Sequence, residues 1–106
     1  LTIRQTPSER IAWGEAQAAA ARNLGNKRAQ GIAFSNLANG WHLQGDFKRA
    51  YAFHEASLVK ARQFGDRRGE SVCLGNMGII KSHMGDAAAA AELHSQALVI
   101  SRELGI

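Results

Sequence analysis

The sequence predicts an all-α domain in which antiparallel helix hairpins stack as repeats, with five helices in total. The 106-residue chain is rich in alanine and has a single proline, Pro7, a composition that favours helix. Residues 25–64 align without gaps on residues 65–104, so a 40-residue unit occurs twice. Within each unit a Gly-Asp pair, at 45–46 and at 85–86, separates two helical halves.

The two units are identical at ten positions, and residues 1–24 match the second half of a unit. The predicted organisation is therefore one domain over 1–106, with a half repeat at 7–24 and full repeats at 25–64 and 65–104. Because the sequence begins at Leu1 rather than at a methionine, a fragment of a longer array is one alternative. The identical pairs are Gly25/Gly65, Arg28/Arg68, Asn36/Asn76, Gly45/Gly85, Asp46/Asp86, Ala50/Ala90, His54/His94, Leu58/Leu98, Val59/Val99 and Arg62/Arg102.

The first helix is predicted to begin near Pro7. The segment Thr6-Pro7-Ser8-Glu9 has the pattern of a capping box with proline in the first helical position. Arg10 stands where the two full repeats have alanine, in a slot that normally presses on the first helix of its own unit. A charged residue there predicts that no ordinary helix precedes this one.

The second and third helices, at 27–43 and 47–63, each show one apolar stripe at helical spacing. The glycine of each turn suits the left-handed position after a helix, and the Asp or Asn that follows suits the N-cap of the next helix. The stripes are Phe34, Leu37, Ala38 and Trp41, and then Ala50, Phe53, His54, Ser57, Leu58 and Ala61.

The fourth and fifth helices, at 67–83 and 87–104, repeat these patterns. Such short turns make neighbouring helices antiparallel, and hairpins stacked with a constant small rotation give a right-handed superhelix with a concave inner surface. The fifth helix has no helix after it, so its exposed face could pair with another copy. The corresponding residues are Leu74, Met77, Gly78 and Lys81, and then Ala90, His94 and Ala97.

These slots resemble the tetratricopeptide repeat (TPR), which places large apolar and small residues at the same relative positions on two helices. The 40-residue period resembles the longer variant of that family. The segments 35–39, 53–55, 64–67 and 75–78 are similar to the Leu-Gly-Asn-rich repeats of Pins-type cell-polarity adaptors. The resemblance covers residues 7–105. It implies a right-handed TPR superhelix that acts as a scaffold or adaptor for protein or peptide binding.

In such a fold the first helix of each unit lines the concave groove. On a helical wheel, the face opposite the Phe34–Trp41 stripe and its counterpart in the next unit supply the candidate residues. The resemblance implies that Asn36 and Asn76 bond the backbone of an extended peptide, since an amide both donates and accepts. The alternative is a bond to a neighbouring helix or loop. The predicted peptide-binding residues are Arg28, Ile32, Asn36, Asn39, Arg68, Val72, Asn76, Ile79 and His83.

Arg28 and Arg68 could select acidic ligand groups. Their alternative role is on a solvated face or in an ion pair within the repeat. The Pins-type repeats often carry an arginine where this chain has Ile32 and Val72. This departure makes the groove more apolar, so a mixed apolar ligand is as plausible as an acidic one.

Other functions find little support in the sequence. A net charge of +4 permits an acidic partner. The sequence has no basic block, and the predicted groove has no base-stacking aromatics, so these features do not indicate nucleic-acid binding. No nucleophile with an oriented base, metal cluster or cofactor motif is evident, so we expect neither an enzyme nor a cofactor. Cys73 and the histidines His54 and His94 are expected to be packed structural residues.

The single cysteine and the lack of an apolar span predict a cytoplasmic protein that does not cross a membrane. The leading hypothesis is thus a protein–protein interaction module that binds a peptide or partner segment in its groove. The alternatives are a structural fragment that self-assembles into a homo-oligomer through its open ends, or a peptide-sensing regulatory domain of a larger signalling protein.

Overall fold

A computed structural model describes residues 5–105 of the chain. Over these residues it contains five α-helices and no strand. The main packing contacts join helices that are consecutive in the sequence, as in a repeat array whose units touch only their neighbours. The all-α prediction is confirmed, whereas the division into a half repeat and two full repeats stays a prediction. The helices are α1 (Pro7–Asn23), α2 (Lys27–Leu43), α3 (Phe47–Phe64), α4 (Arg67–His83) and α5 (Ala87–Leu104).

The start of α1 has half of the predicted capping box. The Thr6 side chain accepts a hydrogen bond from the Glu9 backbone N–H at 3.1 Å, and Pro7 occupies the first turn. The Glu9 carboxylate accepts from the Thr6 hydroxyl at 3.1 Å, where a full box would use the Thr6 backbone N–H. The exposed pair still fixes the first turn, so the helix begins where the sequence predicted.

Each turn between helices uses one residue for two tasks. Gly45 has φ +81°, which only glycine adopts without strain, and it ends α2. The Asp46 backbone N–H then donates to the Trp41 carbonyl at 3.0 Å, which closes a Schellman motif. The Asp46 carboxylate also accepts from the Arg49 N–H at 3.1 Å, capping α3. Asn26, Asp66 and Asp86 make the same pair of bonds at the other turns.

The main apolar cluster lies where α4 meets both of its neighbours. Leu58 of α3 and Ile100 of α5 pack with α4 residues that include Leu74 and Met77. Ile80, also on α4, is fully buried. The stripes predicted on α2, α3 and α4 therefore face the interior, and α4 holds the centre of the core.

A chain of ion pairs crosses the same three helices and was not predicted. Glu70 is only 8% exposed, and its carboxylate accepts from Arg62 at 3.2 Å and from Arg67 at 3.0 Å. Arg67 also contacts the carboxylate of Glu103 on α5. A buried carboxylate requires such partners, because an unpaired charge there would be costly.

The helices α1 and α2 approach closely at glycine. A Cβ atom at Gly40 would lie 2.8 Å from Cγ1 of Ile11, and one at Gly14 would lie 2.9 Å from Cγ of Leu37. By contrast, a Cβ at Gly75 on α4 would meet no atom within 4 Å. The helices α1 and α2 are thus in close contact at Gly14 and Gly40, whereas there is room for a side chain at Gly75.

This difference predicts opposite effects for two Gly→Ala substitutions. Gly75→Ala should raise the free energy of unfolding by roughly 0.5–1 kcal/mol, because alanine is the better helix former. Gly40→Ala gains the same propensity but must displace the buried, β-branched Ile11, so we expect a net loss of about 1 kcal/mol. Urea unfolding followed by circular dichroism measures both. A stabilised Gly40→Ala protein would contradict the close packing of Gly40 against Ile11.

None of the helices within residues 5–105 is long and apolar enough to span a membrane.

Candidate functional site

The α2–α4 face, formed by residues of α2 and α4 that point away from the core, carries the predicted binding residues. Ile32 and Val72 are each 56% exposed there, and Ile79 is 43% exposed. Arg28 and Arg68 are exposed as well. Large aliphatic side chains with this exposure on one face provide apolar area that a partner could cover.

A pocket of about 350 Å³ opens on this face between the first halves of α2 and α4. It brings together five of the nine predicted residues, and the second half of α3 contributes to its wall. These five are Arg28, Ile32, Asn36, Arg68 and Val72.

Hydrogen bonds fix the floor of the pocket. The Ser57 hydroxyl donates to the Gly31 carbonyl at 2.8 Å. Since that hydroxyl has one proton, Ser35 must be the donor in the 2.8 Å contact between the two serine oxygens. The Cys73 thiol also donates to Ser57, at 3.4 Å. Three helices are thus joined under the pocket by a single buried hydroxyl.

Cys73 belongs to this floor and is not a nucleophile. It is 3% exposed, and burial raises the pKa of its thiol, although the neighbouring hydroxyls of Ser57 and Ser35 oppose the shift. The thiol therefore stays protonated at neutral pH, and a thiol is a poor nucleophile compared with a thiolate. This placement agrees with the packed role expected from the sequence.

The rim of the pocket is positively charged. Lys27, Arg28, Lys60 and Arg68 line it, together with the single carboxylate of Asp66. That carboxylate already accepts the Gly69 N–H at 2.9 Å as the cap of α4. A pocket with four basic side chains and one carboxylate favours an anionic or hydrogen-bond-accepting group beside apolar contacts.

Asn36 is oriented by a neighbouring helix. Its Nδ2 donates to the Gln17 side-chain oxygen on α1 at 3.1 Å, the alternative that the sequence left open. Asn36 also lines a second pocket of about 210 Å³, which includes Asn39 and Trp13. The amide therefore lies between two pockets, with one of its groups held by α1.

The remaining predicted residues lie outside the first pocket. Asn76 is half-buried on α4, and Ile79 is exposed one turn further on. The ring of His83 packs edge-on against His42 and Phe47, with centroid distances of 5.2 and 5.5 Å. The structure thus places His83 in an aromatic cluster at the other end of the helices.

The sequence did not predict that Trp13 lines a pocket. Trp13 is 59% exposed, although it aligns with Phe53, which stacks on Phe34 with centroids 6.2 Å apart. A signal in the sequence was Arg10, which stands where the full repeats have alanine. Within residues 5–105 no helix precedes α1, and Trp13 is largely uncovered.

The two repeated histidines differ, and the prediction for His94 was wrong. His54 is 1% exposed, whereas His94 rests against Gly78 but is exposed to solvent, because α5 is the last described helix. Burial, with a smaller contribution from His42, lowers the pKa of His54 from 6.5 to about 4. In residues 5–105 no three His, Cys, Asp or Glu side chains lie together as a metal site requires.

Another depression, about 590 Å³, lies on the turn from Gln44 to Lys48 and beside Met84. It is nearly flat and open to solvent, so it does not enclose a ligand. The pocket on the α2–α4 face is smaller but better formed, and it contains the predicted residues.

Comparison with known proteins agrees with this geometry. The family model described as tetratricopeptide repeat matches residues 29–103, well over half of the chain. No match was found among the curated proteins. The chain belongs to the tetratricopeptide repeat family.

Proposed function

We propose that the protein binds a segment of a partner protein on the α2–α4 face, with the 350 Å³ pocket as the principal site. Tetratricopeptide repeats generally mediate protein–protein interactions, and the family is typically non-catalytic. The observation that carries the proposal is the pocket itself, which gathers five predicted residues from two helices.

The composition of the pocket supports a ligand with mixed chemistry. Ile32 and Val72 offer aliphatic area on both sides, and Arg28 and Arg68 offer guanidinium groups. An extended peptide could place an apolar side chain between the two aliphatic residues and an acidic or carbonyl group at the arginines. Asn36, held by Gln17, would add a polar contact in a fixed orientation.

We expect Ile32→Ser to weaken peptide binding roughly ten- to hundredfold, because a covered aliphatic side chain of this size contributes about 1.5–3 kcal/mol. The probe is a peptide selected on the wild-type protein from a random library, and its affinity is measured by fluorescence anisotropy. Asn36→Ala and Asn76→Ala test the two asparagines with the same peptide.

Val59→Ser is the matched control, since Val59 is 51% exposed on α3 and lies outside the pocket. Its affinity for the peptide should equal that of the wild type. An equal loss in Ile32→Ser and Val59→Ser, or unchanged binding in Ile32→Ser with an intact fold, would contradict the proposed site.

A further inference from the structure

The pocket on the α2–α4 face has four basic side chains, and none of them forms an ion pair within residues 5–105. The one carboxylate in the lining, that of Asp66, caps α4. By contrast, Arg62 and Arg67 are near in sequence but do not line the pocket, and both pair with acidic side chains. The pocket therefore keeps positive charge that is available to a ligand. The four basic residues are Lys27, Arg28, Lys60 and Arg68.

Two helix N-termini add to this positive charge. Lys27 and Arg28 are the first two residues of α2, and Arg68 and Gly69 are the second and third residues of α4. The N-terminal end of a helix carries a partial positive charge, so a cation there opposes the helix dipole. The first turn of α2 has no acidic residue to offset this repulsion. An anion in the pocket would reduce the repulsion among the side chains and also interact favourably with both dipoles.

The ion pairs of Glu70 indicate how much negative charge such a pocket suits. The single carboxylate of Glu70 accepts from Arg62 at 3.2 Å and from Arg67 at 3.0 Å, so two cations serve one negative charge. The pocket presents twice as many cations. A phosphorylated side chain carries a charge of about −1.5 to −2 at pH 7 and three acceptor oxygens, more than a carboxylate offers. It therefore matches the pocket better than an aspartate or glutamate does.

The surroundings of the basic groups favour a phosphate on a short side chain. The guanidinium of Arg28 lies 5.7 Å from the ring centroid of Phe64, a cation–π contact that restrains the group without neutralising it. Ile32 and Val72 line the same pocket of about 350 Å³. A phosphate on serine or threonine stays close to the peptide backbone, so the residues beside it can still contact these two aliphatic side chains. Arginine clusters are a recurring means of recognising phosphorylated motifs.

We propose that this pocket recognises a phosphorylated serine or threonine in the partner segment. Arg28 and Arg68 bind the phosphate from two helices, together with the two lysines of the rim, and apolar residues next to it contact Ile32 and Val72. The inference rests on the proposed function, because it names the group that the partner segment places in the pocket. Association then depends on phosphorylation of the partner.

The probe is the peptide selected in the test of the proposed function, synthesised as a set in which each position in turn carries serine, glutamate or phosphoserine. At one position we expect phosphoserine to lower the Kd at least about tenfold relative to serine, and glutamate to give only a small part of that gain. Arg28→Gln and Arg68→Gln should each remove most of the gain, since each deletes a guanidinium that binds the phosphate.

Two lysines of α3 provide a matched pair of variants. Lys60 lines the pocket, whereas Lys48 is exposed at the opposite end of the helix and does not line it. Lys60→Gln should reduce the gain from phosphorylation several-fold, and Lys48→Gln, which changes the net charge equally, should leave it as in the wild type. An equal reduction in both variants would overturn the proposal, because overall charge would then explain the effect.

The same peptide set separates this inference from the proposed function. If phosphoserine exceeds glutamate at no position while Ile32→Ser still weakens the unmodified peptide, the phosphate site is wrong and the peptide site stands. Competition by inorganic phosphate alone is the last measurement. Displacement of the phosphopeptide by inorganic phosphate at an equal concentration would overturn the proposal, since the pocket would then be a site for the free anion.

Discussion

Replacing Ile80 with alanine is expected to lower the free energy of unfolding by about 2–5 kcal/mol, the largest effect of any substitution considered for this chain. Ile80 is fully buried on α4, the helix that packs on both α3 and α5. The substitution removes apolar contacts and leaves a cavity that two neighbouring helices cannot close independently. For a domain of this size, with a typical stability of about 5–15 kcal/mol, much of the folding free energy would be lost.

Its sequence neighbour provides the control. Ile79 is 43% exposed and on the α2–α4 face, so Ile79→Ala should change the stability by only about 0.5 kcal/mol. Urea unfolding curves of the two variants and the wild type measure the difference. Similar midpoints for both variants would show that Ile80 does not hold the centre of the core.

The second large effect is a loss of stability on acidification through His54. Burial lowers the pKa of His54 from 6.5 to about 4 in the folded protein, so the unfolded chain binds this proton more readily. The contribution is fully present above the unfolded pKa and is lost as the pH falls towards the folded one. Between pH 7 and pH 5 the loss amounts to about 2 kcal/mol. The buried ring nitrogen Nδ1 has no hydrogen-bond partner within the described chain, so no hydrogen bond at that atom would stabilise the protonated ring.

Two variants test this assignment. His54→Leu removes the buried titrating group and should flatten the dependence of unfolding free energy on pH over this range. Ile79→Ala leaves His54 in place and should keep the slope of the wild type. If His54→Leu retained that slope, the acid sensitivity would have to be assigned to other groups.

The helices were predictable because their boundaries are set by adjacent residues. The glycine that ends α2 and the aspartate that caps α3 are neighbours in the sequence, and the predicted 27–43 coincides with Lys27–Leu43. The apolar stripes follow from helical periodicity alone. No knowledge of distant residues is needed for either inference.

The size of a side chain in a given repeat slot was not predictable. Gly40 and Ile80 occupy the same position of the 40-residue unit. Gly40 has no room for a Cβ beside Ile11, whereas Ile80 fits completely inside the core. The space available at this position therefore differs between the two helix contacts, and the repeat pattern does not encode that space.

The site was predictable only in part for a similar reason. A helical wheel identified the exposed face, which is why Ile32 and Val72 lie where expected. It could not show that Gln17 on α1 accepts a hydrogen bond from the Asn36 amide, or that His83 packs against His42. Those contacts depend on how helices from different repeats are placed.

The turns have a further consequence for how such arrays change length. Asp46 both closes the end of α2 and opens α3, through its backbone N–H and its carboxylate. An inserted residue beside Gly45 would divide these two tasks between different positions, and at least one helix end would lose its hydrogen bond. The turns between helices therefore have a fixed length. The extra residues of a 40-residue repeat lie in the helices, which are 17 and 18 residues long.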